Sequence, residues 1–198
     1  MFANRSFRIC PLMMNSGFKE TTVLYSDIEF KSRKLFGIKG TVPINCSSKK
    51  IWNTLTQPGH LEKIHPFCEH HERIAYNGIG DKDSGRFASG KEVVREIVAW
   101  ETGKSYTVLL KDLKKKETNI TFSIEEMDTE KVNFSVHIQT KSFKNIPRII
   151  WPWFAKRKIL PVFKNYLHSL LNGTKYHLET GNNVSPNQFG PLKGYSKK

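Results

Sequence analysis

Arg95 and Glu96 are neighbours in the run Lys91–Trp100, KEVVREIVAW, and they are the residues best placed to do chemistry in this chain. Alternation divides the run into two faces, one with Val93, Arg95, Ile97 and Ala99, the other with Val94, Glu96, Val98 and Trp100. One of the two charges therefore falls on the covered side of the strand, where it needs a partner or a ligand. An arginine there would anchor a carboxylate or enolate. A glutamate would act as a general base, with Tyr106 completing the polar set in either case. The next turn decides between them. A two-residue connection through Thr102-Gly103 places Arg95 beside Tyr106 and Val108, and a three-residue connection places Glu96 there. Both registers stay open, and the competing reading is a surface ion pair on a partly exposed strand.

Other clusters carry weaker chemistry. His60, His65, His70 and His71 surround Cys68, and imidazole with thiolate is a zinc donor set. The spacing matches no zinc pattern and His70 and His71 point to opposite faces of a strand, so no metal is expected. Gly78, Gly80, Gly85 and Gly90 match neither phosphate-loop spacing, and Asp81 and Asp83 would repel phosphate, so a loop at a pocket mouth is expected instead. The run Arg148–Lys158, RIIWPWFAKRK, mixes tryptophans and bulky apolar groups with basic residues, a combination that fits an anionic membrane interface.

Composition sets the frame for these residues. The chain has 198 residues, 38% hydrophobic, 25% charged and 12% aromatic, which suits one globular domain with a sizeable core. Net charge is +14. Lysine outnumbers arginine roughly three to one and is spread along the chain, with dense runs only at Lys114–Lys116, Lys156–Lys158 and Lys197–Lys198. No nucleic-acid motif accompanies the charge, and nucleic acid is not an expected partner. There is no apolar run of about 18 residues to form a spanning helix. The three cysteines, Cys10, Cys46 and Cys68, do not form a disulfide framework, and the N-terminal apolar stretch is short and broken by Pro11. The expected location is the cytoplasm.

The elements that must position these residues follow from periodicity. Residues 1–33 have no sustained period and form an N-terminal extension with room for one short strand. Lys34–Asn45 reads as a strand, and Ser47 or Ser48 can cap a short helix with Ile51, Trp52 and Leu55 on its apolar face. His60–Ile64 allows a second short helix. From Phe67 to Thr140 the period becomes two: strands over 67–77, 86–89, 91–100, 105–113, 118–126 and 131–139, with the turn NGIGDKDSG between the first two. Successive hairpins imply an antiparallel meander with one covered face. Asn145–Glu179 is the one long helical stretch, with Leu160, Phe163, Leu167, Leu170, Leu171 and Leu178 in a stripe and interruptions expected at Pro147, Pro152 and Pro161. Residues 181–198 have no apolar period and are expected as a flexible basic tail. The domain proper is 34–180. Its class is α+β: a curved antiparallel sheet of about six or seven strands around a long C-terminal helix, with two short helices after the first strand.

This order, with Val42–Trp52 (VPINCSSKKIW), Gly78-Ile79-Gly80, Gly90, Val94–Tyr106 and a terminal helix ending near Leu178-Glu179, resembles the START-like or SRPBCC superfamily, most closely its polyketide cyclase/dehydratase-like branch. The similar stretch runs from about Gly40 to Glu179, and its motifs are those of the helix-grip fold rather than of a catalytic site. The resemblance implies a cavity between sheet and helix that holds a hydrophobic small molecule or lipid, without a cofactor. The inward faces would then supply its lining: Val108, Leu110, Phe122, Ile124, Phe134 and Val136 from the strands, and Phe163 and Leu167 from the helix, with Trp153 capping the entrance. The null case is that these side chains fill a solid core. Arg95, Glu96 and Tyr106 are the polar candidates inside such a cavity. The functional expectation is hydrophobic ligand binding. The alternatives are a cyclase/dehydratase-like enzyme on an aromatic or polyketide-type substrate, and a membrane-peripheral lipid carrier using residues 148–158.

Overall fold

The computed structural model describes residues 18–32, 35–72, 78–111, 117–141, 143 and 146–196. The first 17 residues of the expected extension, the end of the 67–77 strand, the Lys114–Lys116 loop and Lys197–Lys198 lie outside the described residues.

Eight strands form one antiparallel sheet: β1 Leu24–Ser32, β2 Leu35–Ile44, β3 Cys68–Glu72, β4 Lys82–Phe87, β5 Glu92–Glu101, β6 Ser105–Lys111, β7 Glu117–Asp128 and β8 Lys131–Thr140. Their order is β1-β2-β8-β7-β6-β5-β4-β3. The helices α1 Ser48–Thr56 and α2 His60–Ile64 follow β2. A helical turn α3 Trp151–Phe154 and a π-helical turn Ala155–Ile159 lead into the long helix α4 Leu160–Thr180. The hairpin period predicts this meander, and the alternation of β8 is complete: Val132, Phe134, Val136 and Ile138 all face the core.

β1, the strand for which residues 1–33 left room, is nine residues long and pairs with β2 at the edge of the sheet. Two elements differ from the expectation. β4 begins at Lys82 rather than Arg86, inside the presumed turn, because Asp83 lies directly opposite Arg95 and each cancels the other's buried charge. Residues 181–196 are laid against the domain instead of hanging free. Val184 and Leu192 are buried, Val184 N–H donates to Lys63 O at 2.9 Å, and Asn187 N–H donates to Pro66 O at 3.1 Å.

The helical run starts at Trp151, after Pro147, and passes through Pro152 and Pro161 without a break. Pro152 occupies the first turn of α3, where a missing N–H costs nothing, whereas Pro161 lies within the continuous helical run 151–180 directly after the π-helical turn. The ring of Pro161 would strike the carbonyl of Arg157 in a regular helix, and the wide π-helical turn absorbs that conflict. α4 lies across the sheet and crosses β2 closely at Gly40, where an added Cβ would come within 2.8 Å of Leu171 Cδ1. Asn172, fully buried on α4, fastens residue 21 beside the helix: its Oδ1 accepts from Thr21 N–H at 2.9 Å and its Nδ2 donates to Thr21 O at 3.1 Å. No described helix is long and apolar enough to cross a membrane.

Candidate ligand pocket

A pocket of about 270 Å³ opens between one end of the sheet and the first turns of α4. Strands β5 to β8 bring Glu92, Val93, Leu110, Thr118, Ile120, Ile138 and Thr140 to this end. Phe87 closes β4, Lys91 precedes β5, and Phe143 follows β8. Val162, Phe163 and Tyr166 come from α4, and Tyr195 comes from the C-terminal segment. Five aromatic rings therefore line a small space, with one lysine and one glutamate beside it.

The opposite end of the sheet is filled. Tyr106 stacks on Phe122 with centroids 4.9 Å apart, and Trp52 meets Trp100 edge-on at 4.9 Å. Aromatic pairs at such spacings leave no room for a guest. Of the expected lining residues, Leu110 and Phe163 border the pocket. Val108, Phe122, Phe134, Val136 and Leu167 are buried in the solid core, and Ile124 packs half-buried against it. Trp153 is 59% exposed and points away, whereas Trp151, two residues earlier and on the other side of the turn, is buried with its indole N–H on Phe30 O at 2.6 Å.

Arg95, not Glu96, faces the interior. The connection after β5 is the three-residue Thr102-Gly103-Lys104, which alone would have turned Glu96 inward. A bulge between Ile97 and Ala99 shifts the register back, so that Trp100 opposes Tyr106 while Arg95 opposes Leu110. Arg95 is then held by Asp83 through two parallel bonds, Nε to Oδ1 and Nη2 to Oδ2, both 2.6 Å. Its Nη2 also donates to His71 Nε2 at 3.1 Å. Guanidinium can only donate, so His71 accepts at Nε2 and carries its proton at Nδ1. These side chains are 0% (His71), 1% (Asp83) and 6% (Arg95) exposed. His60 meets the His71 ring edge-on at 4.8 Å, and burial together with the Arg95 charge holds it neutral, well below the ordinary histidine range. Arg95, Glu96 and Tyr106 do not border the pocket. Glu96 sits on the outer face opposite Lys82.

The second histidine arrangement touches the pocket wall. His65 is buried among Phe67, Phe87 and Tyr166, with centroid distances of 5.7, 5.6 and 5.4 Å. Its Nδ1 accepts the Phe67 backbone N–H at 3.1 Å, which fixes the proton on Nε2. Nε2–H therefore donates to the Tyr166 hydroxyl oxygen at 3.0 Å. Burial and the nearby Arg95 charge lower the His65 pKa to about 3, and burial raises that of Tyr166, so both groups are neutral. Around Cys68, Sγ donates to His70 O, His70 pairs with Glu62 at 3.1 Å, and no three donor side chains converge among the described residues.

Sequence reasoning missed Phe87, Val93, Tyr166 and Tyr195. Tyr166 had a signal, since it follows Phe163 by three residues on the same helical stripe. Tyr195 had only its aromatic character and the nearby Phe189 and Leu192.

A separate surface feature lies beside the pocket. Ile149 is 93% exposed, with Ile150, Trp153 and Val162 also uncovered, amid exposed Arg148, Lys156, Arg157 and Lys158. Glu179 is the only acidic residue between Lys131 and the C-terminus. Val162 belongs both to this patch and to the pocket lining.

No protein-family profile and no curated protein matches the chain by sequence. Solved structures do. A Streptomyces aromatase/cyclase superposes with a TM-score of 0.57 at 12% identity, over 73% of this chain and 94% of that one. A START superfamily protein from Mycobacterium smegmatis gives 0.54 at 14% identity, over 72% and 97%. A norcoclaurine synthase from Thalictrum flavum gives 0.54 at 13% identity, over 81% and 98%. At these identities the likeness is one of fold: the chain shares with these structures the helix-grip architecture, an antiparallel sheet wrapped around a long C-terminal helix.

Proposed function

We propose that the chain binds one hydrophobic small molecule in the pocket between α4 and the β5–β8 end of the sheet. The observation that carries this reading is the pocket itself: about 270 Å³, walled by Phe87, Phe143, Phe163, Tyr166 and Tyr195. The fold supports it, because a sheet wrapped around a helix leaves its unfilled space between the two layers. The volume lies at the lower edge of the roughly 300–1,000 Å³ usual for ligand pockets and suits about two or three fused rings or one short chain rather than a diacyl lipid. The enzymatic alternative has less support. Arg95 is committed to Asp83, Tyr106 to the aromatic cluster at the far end, and Glu96 to the outer face. The unpaired thiols Cys46 and Cys68 fit the cytoplasmic reading.

The test is the organic extract of the purified, denatured protein, analysed by mass spectrometry, beside that of a Val93→Trp variant whose indole fills the pocket. A near-stoichiometric hydrophobic compound present in the first and absent from the second is the expected result. Empty extracts from both, with no thermal shift from a panel of ring compounds, would overturn the reading.

A second reading concerns exchange of the ligand. Ile149, Ile150, Trp153 and Val162 are exposed apolar side chains on the basic segment 148–162, and Val162 also lines the pocket, which suits docking of this segment on an anionic membrane. Sedimentation with phosphatidylserine vesicles, lost at high salt and in a Lys156→Glu/Arg157→Glu/Lys158→Glu variant, is the outcome this reading expects.

A further inference from the structure

Of the polar groups that line the pocket, most are already used by the protein. Thr118 Oγ1 donates to Thr140 Oγ1 at 3.0 Å, and Thr140 Oγ1 reaches Glu117 O at 3.5 Å. Lys91 lies over the Tyr195 ring at 5.5 Å, and both Lys91 and Glu92 are exposed to solvent. Tyr166 is different. The backbone N–H of Phe67 occupies His65 Nδ1, so His65 can only donate to the Tyr166 oxygen, and the hydroxyl proton of Tyr166 has no protein acceptor among the described residues. The hydroxyl is thus polarised from behind by a fixed N–H, and its own proton is left for a group in the pocket.

We propose that Tyr166, positioned by His65, is the hydrogen-bond donor of this pocket and that its ligand is an uncharged, flat ring compound carrying a carbonyl oxygen. The inference rests on the pocket being a ligand site and adds the chemistry of recognition. Ring compounds match the walls, where Phe87, Phe163, Tyr166 and Tyr195 offer both aromatic faces and edges to a guest, Tyr195 standing at 88° to Phe87 and 48° to Tyr166. The missing formal charge follows from the donor pair: hydroxyl and imidazole are neutral, and the one buried cation nearby, Arg95, is already neutralised by Asp83. A carbonyl oxygen accepts from a neutral hydroxyl without bringing an unpaired charge into an apolar space. Tyr195, with its ring centroid 5.3 Å from that of Tyr166 and 5.1 Å from that of Phe87, completes the aromatic wall from the C-terminal segment.

Fluorenone and fluorene form a matched pair of probes, alike in rings and different in the carbonyl. Calorimetric titration of the full chain should show fluorenone binding roughly two- to tenfold more tightly than fluorene, the usual worth of one neutral hydrogen bond. Tyr166→Phe should remove that preference, bringing the ratio of the two affinities to about one. The carbonyl stretch of bound fluorenone should move to lower frequency in the wild type and return to its apolar-solvent position in Tyr166→Phe, a shift that a purely structural role would not produce. Equal binding of the two probes, an unshifted carbonyl in the wild type, or a preference that survives Tyr166→Phe would overturn the proposal and leave the pocket standing. Binding of neither probe would overturn the pocket reading along with it.

Discussion

Lowering the pH from 7 to 5 should destabilise this fold steeply, and the cause lies in two buried histidines. His60 and His65 are 1% and 4% exposed, and both are held neutral in the folded chain by burial and by the positive charge of Arg95. In the unfolded chain each titrates near 6.5. Their folded values are depressed, so between the two limits the unfolded state binds the extra proton. The stability they contribute is full above about pH 6.5 and is lost as pH falls toward the folded value. For His65, the drop from 6.5 to about 3 corresponds to roughly 5 kcal/mol in all, at about 1.4 kcal/mol per unit. Over the interval from pH 6.5 to 5, His65 accounts for about 2 kcal/mol, and His60, lowered in the same direction, adds to that loss. The His65 share alone is a measurable part of a typical domain stability of about 5–15 kcal/mol. Urea unfolding followed by tryptophan fluorescence at pH 7.5, 6.5, 5.5 and 5.0 measures it directly. The expected slope between pH 6 and 5 is at least about one proton and falls by about one in His65→Gln. A stability unchanged between pH 7 and 5, or a slope unaffected by His65→Gln, would refute the argument that burial keeps these rings neutral.

Three further outcomes follow from the packing. Asp83→Asn leaves Arg95 buried without its counter-charge and should cost about 3–5 kcal/mol, whereas Asp83→Leu/Arg95→Met should recover most of that loss, as a double-mutant cycle in urea will show. Gly173→Ala would stabilise an ordinary helix by about 1 kcal/mol. Here an added Cβ would press on the Ile64 carbonyl of α2, so the thermal midpoint should fall instead. Truncation after Gly181 removes Leu192 and Tyr195 from Phe67 and Phe87, and should lower stability by about 2–4 kcal/mol while weakening ligand binding in the same preparation.

Much of the fold was legible because it depends on local period. Ile120, Phe122 and Ile124 alternate on β7, Val132 to Ile138 alternate on β8, and Phe163 to Leu178 form the stripe on α4; in each case the neighbours along the chain carry the information. The site was less legible because it depends on pairs far apart in sequence. Asp83 sits in a segment that reads as a turn, and only Arg95 across the sheet makes it a strand residue. Arg95 faces inward because one bulge offsets one extra turn residue, a cancellation that alternation does not reveal. The filled end and the open end of the sheet have the same apolar pattern. Which residues meet a ligand therefore depends on where Trp52, Trp100 and Tyr106 exhaust the space, not on the pattern itself. The C-terminal segment has no period because it follows no helix or strand; backbone bonds to Lys63 and Pro66 and the single side chains of Val184, Leu192 and Tyr195 hold it in place.

Methyl-resolved NMR with fluorenone as the probe tests the central claim most directly. Shifts concentrated on Leu110, Ile120, Ile138 and Val162, with Val108, Val136 and Leu167 unmoved, are what a pocket at the β5–β8 end requires. Shifts centred on Val108, Val136 and Leu167, or no shifts at saturating probe, would contradict it.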